Sequence, residues 1–456
     1  MNPPPPLLSS AIVAALFLGA TPPARAGTPS FNHDIAPIIY QNCTGCHREG
    51  EAAPFTLGSY HDVQRKGKTI ARAVHSRVMP PWKAEPASYP YRDERRLAAD
   101  QIQRIEDWVA GGMPEGDPAE KPQPPSFPSG WRLGEPDLVV EMPLPYHVPA
   151  DGPDIYRNIA VPLGLTADKW VTAIDMHPSA RAAVHHVLYF ADTKGKAHER
   201  KRDGPEPGFG GMRPGGAVSP LGGWAVGAQP AFFPGGYALA VPQGSDFVIQ
   251  YHFHPTGKPE VEKARVGFYF AKQRPPRSLV RIQMPPHYSL FSGLDIPAGE
   301  KDFVLRDSYT LPAAVDGLGV AAHAHYLATR MSMTATLPDG AVKTLLSIKD
   351  WDFNWQDRYF FQDLAPLPAG TKLDVEIHWD NSAANPHNPA SPPTRVAWGE
   401  ESKDEMGSIS LIAVAHDQPD HARLQANIRE HVNGIVVERL AREPEMRLKL
   451  ARLLAE

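Results

Sequence analysis

The residues that speak most directly of chemistry are Cys43, Cys46 and His47, in the run Cys43-Thr44-Gly45-Cys46-His47. Two thiols separated by two residues can both reach one edge of a porphyrin and add across its vinyl groups. The histidine that follows turns under the ring to ligate the iron. A redox dithiol would not need that histidine. A four-cysteine zinc site is impossible, because these are the only two cysteines among 456 residues. The spacing therefore predicts one covalent haem c held by Cys43, Cys46 and His47. For the sixth ligand we select Met79, in Arg77-Val78-Met79-Pro80-Pro81-Trp82, whose thioether would raise the haem potential. Met113, His61 and His75 are the alternatives.

A second set of ligand types lies further along. His185 and His186 are adjacent, His252 and His254 form His-x-His, and so do His323 and His325. Met406 stands in Asp404-Glu405-Met406-Gly407. In a strand, residues i and i+2 face the same way, so His323 and His325 can share an ion. Adjacent His185 and His186 can do so only where a bulge or strand end redirects one of them. Imidazole holds Cu(II) and a thioether favours Cu(I), so three histidine clusters with one methionine point to copper. Gln250 shares the face of His252 and reads as an ordinary surface amide. The loop from Asp380 to Pro389 reads as turn-making.

These residues need elements to position them. Residues 1–26 resemble an export signal, with an apolar run from Leu7 to Ala20 and Ala24-Arg25-Ala26 as a cleavage site. The absence of Lys or Arg before that run leaves a retained anchor as the competing reading. Residues 27–116 read as a small helical domain, with Leu97, Ile102, Ile105 and Trp108 at helical spacing before Gly111-Gly112. Residues 117–130 are a proline-rich, semi-rigid linker. Short Val/Ile/Tyr/Phe runs between Pro/Gly turns then predict two strand-rich units, 131–275 and 276–416, followed by a helical tail, 417–456. The net charge of -5 gives no bulk positive charge for a nucleic-acid partner. With both cysteines committed, stability must come from core size and not from disulfides.

The ordered ligand set resembles the copper type II ascorbate-dependent monooxygenases, the family of peptidylglycine alpha-hydroxylating and dopamine beta-monooxygenases. The match runs over roughly residues 137–415. Val184-His185-His186-Val187, then His252, resemble the family's first-domain ligands. Ala322-His323-Ala324-His325, then Asp404-Glu405-Met406, resemble those of its second domain. Residues 27–116 resemble a class I cytochrome c domain. The resemblances imply a multidomain fold: a small all-α cytochrome c domain followed by two mainly antiparallel β-sandwich domains. They imply two copper ions, an electron-transfer site at His185, His186 and His252, and an oxygen-activating site at His323, His325 and Met406. The disulfides of the animal enzymes have no counterpart here. Their tyrosine four residues after the methionine is Ser410, and His254 is an extra histidine that competes with His252 as ligand.

The expected activity is that of an exported, periplasmic bacterial copper monooxygenase, hydroxylating a C–H bond of a small organic substrate with molecular oxygen. The fused haem would supply electrons from a periplasmic donor. A haem/copper electron-transfer or copper-binding protein without catalysis is the alternative reading, and a redox-sensing module is a third.

Overall fold

A computed structural model describes residues 27–447, apart from 52, 128–129, 201–203, 212–217, 226–228, 235–236, 276, 278, 287–289, 400 and 444–445. The export signal expected over 1–26 lies outside the described residues.

A π-helical turn, Phe31–Ile35, runs into α1 (Ala36–Asn42), and α2 (Tyr60–His75) and α3 (Ala99–Ala110) follow. Ser59 starts α2 by accepting a hydrogen bond from the Asp62 N–H. Val63, Ile70 and Val74 of α2 meet Ile102, Ile105 and Trp108 of α3 over Phe31 and Ile39.

The expected small all-α cytochrome c domain is not what folds here, because the chain between α2 and α3 leaves the helices and joins a sheet. Residues 76–98 contain Pro80, Pro81, Pro86 and Pro90, each lacking an N–H and disfavouring helix at the residue before it. Extended instead, the segment bridges Ala84 to Ile348 and Tyr91 to Phe361. The Glu85 N–H donates to the Ser347 carbonyl and the Tyr91 hydroxyl to the Leu345 carbonyl. Ala84 and Tyr91 are buried in the core of the second strand-rich half.

Most of the regular structure among the described residues is strand. The first half contains β1 (Leu138–Glu141), β2 (Tyr146–Val148), β3 (Ile155–Pro162), β4 (Lys169–His177), β5 (Val184–Asp192), a short α4 (Lys196–Glu199), β6 (Phe209–Gly210), β7 (Val218–Ala225), β8 (Leu239–Val241), β9 (Asp246–Phe253), β10 (Glu260–Glu262) and β11 (Arg265–Phe270). Two antiparallel sheets, β1-β11-β4-β8 and β6-β3-β9-β5-β7, enclose one core that includes Val171, Val266 and Phe268 from one sheet and Val187, Phe247 and Tyr251 from the other. The second half contains β12 (Leu279–Met284), β13 (Asp295–Ile296), β14 (Phe303–Thr310), β15 (Val315–Ala324), β16 (Ala328–Thr336), β17 (Val342–Ile348), β18 (Arg358–Leu367), β19 (Lys372–Trp379), β20 (Val396–Ala397) and β21 (Gly407–Ala415). Here β12-β21-β15-β18 packs on β14-β19-β16-β17 through Val320, Leu411 and Tyr359 against Met331, Leu345 and Ile377. The tail helix α5 (Gln418–Arg442) buries Leu424 against this half. No described helix is long and apolar enough to cross a membrane.

Candidate metal centre

His186 on β5 lies directly opposite His252 on β9. The register slips between Val184 and His186, so His185 is the extra residue of a β-bulge. That bulge lets two adjacent histidines serve one point. The three Nδ1 atoms lie 3.1 Å (His185 to His186), 3.4 Å (His185 to His252) and 3.4 Å (His186 to His252) apart. Three nitrogens about 2.0 Å from one ion would sit about 3.3–3.5 Å from each other.

The protons point the same way. Asp154 accepts from His252 Nε2 at 2.8 Å, which fixes the proton on Nε2 and leaves the Nδ1 lone pair facing the cluster. Burial, followed by the charge of His252, pushes His185 down to about 4 and His186 well below its ordinary range. His185 and His186 are thus poised as neutral ligands. His254 stays outside the cluster: its side chain is 67% exposed and its Nδ1 binds the other oxygen of Asp154 at 2.8 Å.

The second set is built where the chain leaves β15 and where it enters β21. His323 and His325 share a face, with ring centroids 5.3 Å apart. His323 Nδ1 donates to Gln356 Oε1 at 2.5 Å, and His325 Nδ1 donates to the Asp404 carbonyl at 3.0 Å. An ion at this pair would therefore be met through Nε2. Burial pushes His323 down to about 4 and His325 to about 3.

Met406 is buried at the entry to β21, and Glu405 beside it has no exposed surface. The Glu405 carboxylate accepts the backbone N–H of Leu327 (2.6 Å), His325 (3.1 Å) and Met406 (3.1 Å), and the indole N–H of Trp379 (3.0 Å). One side chain thereby ties the histidine strand to the methionine strand. Burial pushes its pKa up to about 8, against the pull of these donors.

The two histidine sets are neighbours. Phe353, in the turn between β17 and β18, stacks on His185 at 5.4 Å and meets His325 edge-on at 5.7 Å. The same turn supplies Gln356 to His323 and the Trp351 indole N–H to the His325 carbonyl. Asp154 also accepts from Ser402, in the loop that leads to Met406. Asp154, Glu405, Phe353 and Gln356 carry no motif that reveals these roles in the sequence.

Cys43, Cys46 and His47 form a tight turn off the end of α1, with the His47 N–H on the Cys43 carbonyl at 2.9 Å. Both thiols are free. Burial pushes Cys43 up to about 12 and raises Cys46, the reverse of a reactive dithiol. His47 Nδ1 donates to the Phe55 carbonyl at 3.1 Å, which leaves Nε2 with the free lone pair, and burial lowers its pKa. Glu51, four residues on, holds Arg48 (2.8 Å), Arg132 (2.5 Å) and Arg181 (2.9 Å), docking the turn onto the first sheets.

Met79 is half-buried, and among the described residues Trp82 Nε1, three positions on, is a buried donor without an acceptor. Met113 packs elsewhere: its sulfur fills the notch over Gly67 of α2, where a Cβ would come within 2.5 Å of it. His75 binds Glu106, and the His61 ring lies against Tyr60.

No protein-family model and no curated protein matches this chain. Among solved structures it is distantly similar to the major capsid protein P2 from bacteriophage PM2 (11% identity, 57% of this chain and 97% of that chain, TM-score 0.21). It is also distantly similar to PNGF-II (8%, 60% and 66%, TM-score 0.22) and to the VP2 subviral particle of infectious bursal disease virus (9%, 62% and 72%, TM-score 0.15). At such scores these likenesses say nothing of function.

Proposed function

We propose that this chain is an exported copper-dependent monooxygenase that hydroxylates a C–H bond of a small organic substrate with molecular oxygen. The observation that carries the reading is the triangle of Nδ1 atoms on His185, His186 and His252, drawn together by a bulge and by Asp154. A one-ion store would need nothing more. The separate set of His323, His325 and Met406, with nitrogens of the other kind and a soft sulfur, supports a second ion with a different task.

The residues fit both groups. His185, His186 and His252 would hold one copper, and His323, His325 and Met406 the other. Copper supplies one-electron chemistry and oxygen binding when present. Cys43, Cys46 and His47 would hold a haem c, with Met79 as the distal ligand, and the haem supplies an electron store. The chain's own part is positional. Asp154 sets the protons of His252, Gln356 and the Asp404 carbonyl set those of the second pair, and Glu405 fixes the spacing of His325 and Met406.

Two crevices bring the N-terminal segment next to the strands that carry the histidines. One is shared by Cys46, Arg132, Met176, Arg181 and Trp224. Another brings Pro81, Trp82 and Arg95 against Ala225 and Gln356. Ala225 pairs with His186 and Gln356 binds His323, so both histidine sets border the segment that carries Met79.

The non-catalytic electron-transfer reading draws on Phe353, whose ring contacts both histidine sets. The deciding measurement is the copper-to-iron ratio of the reconstituted full chain, followed by oxygen uptake under a reductant. Two coppers per haem with product-coupled uptake supports the proposal. One copper, or two without uptake under any C–H substrate, favours the second reading.

A further inference from the structure

One carboxylate docks the cysteine turn beside the first histidine set. Glu51, four residues after His47, accepts from Arg181 at 2.9 Å as well as from Arg48 and Arg132. Arg181 stands four residues before His185, in the turn that opens β5, where the Ala183 and Val184 N–H groups both bind the Ala180 carbonyl. Glu51 and Arg181 expose only 12% and 24% of their side chains, so salt screens the pair far less than a surface contact. A single ion pair thereby joins the segment of Cys43, Cys46 and His47 to the segment of His185 and His186.

The space left by this docking is the crevice walled by Cys46, Met176, His177 and Trp224. Trp224, near the end of β7, packs against the core of the first half. Across the ladder it lies opposite Val187, and the next residue, Ala225, lies opposite His186. Successive pairs of an antiparallel ladder alternate between hydrogen-bonded and non-hydrogen-bonded, so one of these two pairs carries N–H···O bonds between β7 and β5. The indole therefore borders Cys46 on one side. On the other, its own backbone and one ladder step tie it to His186. A saturated side chain couples two redox groups poorly across such a gap, whereas the filled π orbitals of an indole, spread over both rings, couple them well.

We propose that Trp224 is the bridging residue by which an electron crosses from a haem held at Cys43, Cys46 and His47 to a copper held by His185, His186 and His252, with Glu51 as the positioning residue that sets the gap. The bridge presupposes the haem and copper of the monooxygenase reading and adds the route between them. One electron moves: Fe(II) becomes Fe(III), Cu(II) becomes Cu(I), and no bond or proton changes place.

The test uses the full chain loaded with haem and copper, without oxygen or organic substrate. A ruthenium photosensitiser with a sacrificial amine reduces the haem in a light flash, and the return to Fe(III) is followed by visible absorbance. In the wild-type chain the return should be first-order, independent of protein concentration, and matched by loss of the Cu(II) electron paramagnetic resonance signal. Trp224→Met keeps the bulk and loses the rings; it should slow the return about tenfold or more, with the resting haem and Cu(II) spectra unchanged. Trp224→Phe restores a ring and should recover most of the rate. Glu51→Gln should slow the return and make it depend on solvent viscosity, because docking then becomes part of the step. A wild-type rate in Trp224→Met overturns the bridge, as does equal slowing by Met and Phe, and Trp224→Leu replaces the Met variant if that one does not fold. If the return is first-order but indifferent to Trp224, the bridge falls and the monooxygenase reading stands. If the loaded wild-type chain shows no intramolecular return, the part of the haem in that reading falls together with the bridge.

Discussion

Asp154 matters because a carboxylate acts on histidine through a proton. Its two oxygens hold His252 and His254, both at 2.8 Å, and only the first faces the nitrogen triangle. Asp154→Asn keeps the shape but loses the charge that favours the Nε2–H tautomer. Copper affinity of the first set is expected to fall about 10- to 100-fold, with the second set unchanged, as read by metal titration followed by electron paramagnetic resonance. Met406→Ile keeps the volume and removes the sulfur. Oxygen uptake should vanish while the haem absorbance stays as it was; unaltered turnover would place the oxygen chemistry elsewhere. Glu262 is a buried carboxyl of another kind, accepting from the Ala180 N–H and the Tyr251 hydroxyl. Burial lifts its pKa from 4.5 to about 6. The folded chain therefore keeps a proton that the unfolded chain releases, so its contribution is complete below pH 4.5 and is lost as pH rises through 6. Relative to Glu262→Gln, the wild-type chain should lose about 2 kcal/mol of stability between pH 4 and pH 7, measured from denaturant midpoints at each pH.

At the scale of elements, strand spacing made part of the centre legible in advance. His323 and His325 at i and i+2 had to share a face, and their ring centroids lie 5.3 Å apart. The bulge at His185 was legible only as a condition, because nothing in Val184-His185-His186-Val187 states which residue a partner strand will skip. Asp154, Phe353 and Gln356 come from strand ends and turns far away in sequence, where no periodicity marks a residue as aimed at a histidine. The same blindness produced the all-α expectation for residues 27–116: the prolines between α2 and α3 do not say which sheet they join, yet an extended proline-rich segment is also a good sheet edge. Glu405 shows what such an invisible residue does for its element. Glu405→Ala would leave four buried N–H groups without an acceptor, each costing about 1–3 kcal/mol. A loss above about 4 kcal/mol, or failure to fold, is expected in chemical denaturation, far beyond an ordinary surface change.

At the scale of the whole molecule, the N-terminal residues are part of the second half's core. Tyr91 stacks on Phe361 at 5.8 Å and its hydroxyl holds the Leu345 carbonyl. Tyr91→Ala should cost about 3–5 kcal/mol, the range for large aromatic truncations in cores, and the loss should appear in the same cooperative transition as the sheets. A separate, earlier transition would show that the N-terminal part unfolds by itself. The crevice around Cys46 has a further consequence, one of timing. Its walls include Arg132, Met176, Arg181 and Trp224, all later in the chain than the thiol they enclose. Chains fold as they emerge, N-terminal part first. On the proposed haem reading, attachment at Cys43 and Cys46 would compete with closure of those walls, and its yield would depend on how fast the group is joined relative to the synthesis of the first sheets.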